Sequence, residues 1–90
     1  MTLHDHLHIQ AIFSAAERYR KGDASIVDLQ RFISATASAM EGDVPKEVRE
    51  AAYKLDAEID SIRFSVSASE QPKRVQEVFR DFVRTVSHYG

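Results

Sequence analysis

Val48-Arg49-Glu50-Ala51-Ala52-Tyr53-Lys54-Leu55-Asp56-Ala57-Glu58-Ile59-Asp60-Ser61-Ile62-Arg63-Phe64 is the stretch that decides the fold class. Val48, Ala51, Ala52, Leu55, Ile59 and Ile62 recur at helical intervals, so they share one face of an α-helix and cannot share one face of a strand. A helix that is apolar on one side only is not stable alone, because most of its stability comes from covering that side. The cover must come from the rest of the chain.

Working outward, three more stripes of the same period appear. Pro45 suits the first turn of this third helix, where its missing N–H would have no partner anyway, and Asp43 is a plausible cap. The helix ends somewhere in Ser65–Ser69, before Pro72. Upstream, Ser25-Ile26-Val27-Asp28 fits a capping box in its looser form, with Asp in place of Glu or Gln. It opens a second helix that reaches about Met40, with Ile26, Leu29, Ile33, Ala37 and Met40 on one face and Gly42 marking the stop. A first helix is predicted from about His4 to Lys21, lined by Ile9, Ile12, Phe13, Ala16 and Tyr19. Gly22 stands where a left-handed C-cap is wanted, and Arg18, Arg20 and Lys21 suit the negative end of the helix dipole. Downstream, Val75, Val78, Phe79, Phe82, Val83 and Val86 line a fourth helix from about Pro72 to His88. Four stripes joined by short connections predict an all-α, compact antiparallel four-helix bundle. A three-helix bundle with a loosely docked first helix is the alternative.

With 90 residues the chain forms one domain, 1–90, since two cores could not be enclosed at this size. The charged fraction of 29% and the shortness of every apolar run exclude a membrane span. The N-terminal residues lack the basic and apolar regions of a signal peptide, and there is no cysteine. The expectation is a cytoplasmic protein. A net charge of −2 argues against general nucleic-acid binding, although it is unevenly spread. Seven acids face three bases in residues 41–60, whereas Lys73, Arg74, Arg80 and Arg84 outnumber Glu70, Glu77 and Asp81 in residues 70–90.

Candidate chemistry is thin. His4 and His8 would share a helical face at a spacing able to hold zinc or nickel, but His6 points elsewhere and no further ligand is placed. Asp56 with Asp60, and Glu77 with Asp81, are carboxylate pairs without a nucleophile or base at a telling spacing. Phosphate-binding loops, nucleophile elbows and dinucleotide fingerprints are absent. The expectation is therefore a protein that is not an enzyme, takes no cofactor or metal, and acts by binding another macromolecule.

The feature that points to binding is the side of the third helix away from its apolar face. At 100° per residue, Tyr53, Asp56, Ala57, Asp60 and Phe64 fall together there. Tyr and Phe bring contact area, and an exposed Phe usually has something to cover it. Glu50, Tyr53, Asp56, Asp60 and Phe64 are the expected partner-binding residues. The competing reading buries Phe64 against a second helix of a wide bundle core.

The order Gly22-Asp23-Ala24-Ser25-Ile26-Val27-Asp28-Leu29-Gln30-Arg31-Phe32-Ile33, then Asp43-Val44-Pro45-Lys46-Glu47-Val48, then Leu55-Asp56-Ala57-Glu58-Ile59-Asp60, resembles the small helical immunity proteins of the colicin D type. The likeness covers about residues 12–86. It departs from that pattern after the third helix, where Ser65-Val66-Ser67-Ala68-Ser69 replaces an acid-rich stretch. The resemblance implies a protein that neutralises a cognate toxin, an RNase whose basic cleft is filled by an acidic helical surface. Two other readings remain. One is a small helical adaptor or homodimer pairing through the Tyr53–Phe64 face. The other is a nucleic-acid regulator using Arg74, Arg80 and Arg84, which Glu77 and Asp81 on the same helix oppose.

Overall fold

The computed structural model describes residues 6–40, 42 and 44–89. Four helices occupy most of them: α1 (Leu7–Arg20), α2 (Ile26–Ala39), α3 (Lys46–Ser65) and α4 (Gln71–Tyr89). Each boundary has a local cause. His6 caps α1 from an extended backbone, its Nδ1 accepting the His8 N–H at 3.2 Å, so α1 begins at Leu7 rather than near His4. His4 itself lies outside the described residues.

At the other end of α1, Gly22 adopts φ +83°, the left-handed conformation that an L side chain resists. The Gly22 N–H then reaches the Tyr19 carbonyl at 3.0 Å and the Asp23 N–H reaches that of Arg18 at 2.8 Å, the paired bonds of a Schellman stop. The capping box of α2 has both arms: Ser25 Oγ accepts from the Asp28 N–H at 3.1 Å, and Asp28 Oδ2 accepts from the Ser25 N–H at 3.2 Å.

α2 ends where the sequence places its stop, close to Met40. Met40 turns to an extended backbone directly after Ala39. Met40 and Val44, on either side of this connection, are both buried in the core, and Gly42 between them is exposed. Pro45 stands one position before the helix proper, its carbonyl accepting the Val48 and Arg49 N–H groups at 3.0 Å. The expected Asp43 cap lies outside the described residues. After α3, the Gln71 side-chain amide donates to the Val66 carbonyl at 3.1 Å and to that of Arg63 at 3.5 Å, tying the start of α4 to the end of α3.

The 20 residues of α3 make a rod about 30 Å long. The molecule measures 37 × 21 × 21 Å, so the four helices lie side by side and reverse direction at each connection. This is an all-α four-helix bundle. α1 packs on α2, α2 on α3 and α3 on α4. Leu29, Ile33, Val48, Leu55, Ile59, Val75, Phe79, Phe82 and Val86 meet in its core. α1 is docked, since Ile9 and Ile12 are fully buried, which removes the three-helix alternative. Thr36, the one buried polar residue among those described, donates its hydroxyl to the Phe32 carbonyl at 2.8 Å and so leaves no polar group unpaired there. Among the described residues no helix is long and apolar enough to cross a membrane.

Candidate partner-binding face

Since α3 is covered by α2 on one flank and α4 on the other, the residues opposite Leu55 and Ile59 are left to solvent. Phe64 is 71% exposed and Tyr53 is 52% exposed. That settles the position of Phe64: it does not pack against a second helix. The Arg63 guanidinium carbon lies 4.7 Å from the centre of its ring, a cation–π contact on the surface. Ala57, between the two aromatics, leaves the helix backbone approachable. Glu50, Tyr53, Ala57, Asp60 and Phe64 follow one another at three- and four-residue steps, so they form a single ridge. From Glu50 to Phe64 that ridge is about 21 Å long.

The acids on this face are not all free. Asp60 is exposed, yet its Oδ1 accepts the Gln30 side-chain amide at 2.8 Å, and Gln30 Oε1 accepts from Arg63 Nη1 at 3.2 Å. This relay crosses from α3 to α2 and fixes the Asp60 carboxylate beside the aromatic ridge. Glu50 is 3.8 Å from Lys46, one turn back, an exposed pair of little energetic weight. Asp56 departs from the expected arrangement. It sits on the flank toward α2, half-buried, with Oδ1 shielded from solvent and given no hydrogen bond. The expected five therefore divide: Glu50, Tyr53, Asp60 and Phe64 share the outer face, and Asp56 belongs to the α2–α3 flank.

The remaining candidates fall as follows. The His6 and His8 rings lie 5.4 Å apart, with His6 engaged as the cap of α1. The described residues hold no group of three or more His, Asp or Glu placed to bind a metal ion. Glu77 lies 3.5 Å from Arg74 and Asp81 3.6 Å from Arg84 on α4, so a carboxylate stands beside two of the three arginines considered for nucleic acid.

One surface feature escaped the sequence reading. The α1–α4 seam is closed at one end, where Phe13 and Phe82 meet edge to face at 6.3 Å, and opens at the other into a groove of about 610 Å³. Ala16, Tyr19, Val75, Phe79 and Val83 line it. Burial in this seam pushes the Tyr19 hydroxyl above its ordinary pKa. Val83 reads as core in a periodic stripe, but at 38% exposed it is half of an uncovered wall. The available signal was the width of the α4 stripe, which exceeds what two neighbours cover.

No protein-family model, curated protein or solved structure matches this chain.

Proposed function

We propose that this chain is an immunity protein, a binding module that neutralises a cognate bacterial toxin of the RNase type by laying the outer face of α3 over the toxin's basic cleft. The observation that carries the reading is the exposed ridge of Tyr53 and Phe64 with the Asp60 carboxylate, hydrogen-bonded to Gln30, beside it. Aromatic area on a regular helix, rimmed by carboxylates, is what a desolvated anchor inside a charged rim requires. A basic nuclease cleft, shaped for a polyanion, is the complementary surface, and opposite charge speeds the encounter. The resemblance to immunity proteins of the colicin D type points to the same partner.

The test is to look beside this chain's gene for one encoding a nuclease-like toxin and to co-express the two. Rescue of growth, a stable heterodimer and its weakening by Tyr53→Ala with Phe64→Ala are the expected results. A complex that forms equally well without both aromatics would place the interface elsewhere, and the absence of any such neighbouring toxin would remove the reading. The exposure of Tyr53 and Phe64 favours one second reading, a homodimer pairing helix against helix through that face. A concentration-dependent dimer broken by Phe64→Ala would support it.

A further inference from the structure

We infer that the groove between α1 and α4 is a second docking site, and that its occupant is an acidic amphipathic helix of a partner protein. The floor is apolar: Ala16 and Tyr19 from α1, and Val75, Phe79 and Val83 from α4. The rim carries Arg20, Lys73 and Arg80 against a single acid, Glu17. Glu17 is consumed by Arg20, whose Nη2 lies 2.8 Å from Glu17 Oε2. In a chain whose net charge is −2, this edge is basic.

How α4 distributes its ion pairs makes the point sharper. Its two outward arginines, Arg74 and Arg84, are matched with Glu77 and Asp81. Its two groove-side cations, Lys73 and Arg80, have no ion pair among the described residues. Both acids of this helix lie away from the groove, Asp81 on the side toward α3, so the charge on the groove edge is left for something else to neutralise.

Geometry selects a helix as that something. The groove runs along antiparallel neighbours from Pro72 to Val83, about 16 Å or three helical turns. It is open along its length, as a helix laid into a trough requires. Lys73 and Arg80 are seven residues apart, which spaces their charges two turns, or about 10.5 Å, along one edge. A single carboxylate head group would want cations gathered at one mouth. A row spaced by two turns instead reads acids spaced by two turns. The occupant therefore presents apolar residues on a heptad seam to Ala16, Tyr19 and Val83, above a floor of Val75 and Phe79, with Asp or Glu seven residues apart beside the seam. This site shares no residue with the α3 ridge, and its charge is opposite, so it does not rest on the immunity reading.

The test uses the full chain, labelled with nitrogen-15, and two synthetic peptides of about four helical turns. One has leucines on a heptad seam and glutamates seven residues apart beside it, and its twin has lysines in their place. The glutamate peptide should shift the amides of Ala16, Tyr19, Val75 and Phe79 saturably. Lys73→Glu with Arg80→Glu should weaken it by roughly tenfold or more and let the lysine twin bind instead, because the charge pairing has been inverted. Both residues are exposed, so an unchanged helical spectrum and melting temperature will show that the variant is folded. Equal binding of both peptides, shifts confined to α3, or no saturation by about 1 mM would overturn the proposal. Tighter occupation by laurate than by the peptide would overturn it in favour of an acyl chain. Self-association of the free chain that the double reversal abolishes would overturn it in favour of a second copy.

Discussion

Ile62 and Phe64 are two residues apart on α3 and face opposite ways, which makes them a matched pair for separating folding from binding. Ile62 is 4% exposed and Phe64 71% exposed. Truncating Ile62 to Ala in the free chain should cost about 2–5 kcal/mol, from lost transfer energy and the cavity left behind. Phe64→Ala should change stability by less than about 0.5 kcal/mol, because little burial is lost and Ala is the better helix former. In the complex the order reverses. A Phe side chain presents roughly 200 Å², so covering the 71% now exposed removes about 140 Å² from water, worth about 3.5 kcal/mol at about 25 cal/mol per Å². That figure is a ceiling, equivalent to about 300-fold in affinity, since ordering and polar desolvation subtract from it. Most of the loss should appear as faster dissociation. Urea melts followed by far-UV circular dichroism give the first arm, and stopped-flow dissociation of the toxin complex gives the second. If Phe64→Ala destabilises the free chain by more than about 1.5 kcal/mol, its ring packs on the bundle and the exposed-ridge argument fails. If Phe64→Ala leaves dissociation unchanged, the ridge is not the interface.

Further outcomes follow from the same geometry. Asp60→Asn keeps an acceptor for Gln30 while removing the charge, so it should slow association with a basic partner at low salt, lose that effect as salt rises, and leave the melt unchanged. Replacing Asp56 and Asp60 with lysines is a poorer probe, because Asp56 is half-buried and Asp60 bonds to α2. Ser25→Ala should cost about 1 kcal/mol by removing one arm of the α2 cap, measured by urea unfolding. The Ser25 N–H and hydroxyl hold the Asp28 carboxyl below its ordinary value of 3.8, so the unfolded chain takes up its proton first as pH falls. That contribution is present above pH 3.8 and lost as pH falls through the lower folded value, and Asp28→Asn should flatten this acid limb in pH-dependent melts. Ile12→Ala should cost about 2–5 kcal/mol in the same assay; a loss below about 1 kcal/mol would mean that α1 is not integral to the core.

The helices were legible because their causes are local. Gly22, the Ser25–Asp28 box and the α3 stripe each act within a few residues, and the structure places them as their spacing predicts. Helical angle alone put Asp56 beside Asp60, but it cannot tell which flank a neighbouring helix will cover, and α2 covers that one. The exposure of Phe64 was undecidable for the same reason. The groove was less visible still, since it arises from how closely two helices 50 or more residues apart approach, and no periodicity records that distance.

The consecutive packing of α1, α2, α3 and α4 has a kinetic consequence. Most contacts join helices adjacent in the chain, so they close short loops at small entropic cost, and such low contact order goes with folding on the microsecond-to-millisecond scale. The Phe13–Phe82 contact is different, joining the first helix to the last. It can form only after the three successive hairpins have brought α1 and α4 together, and it gives the least local reward on the way. The seam should then be the last part to close on folding and the first to part in the native ensemble, with amide exchange along its open half faster than along α2 and α3.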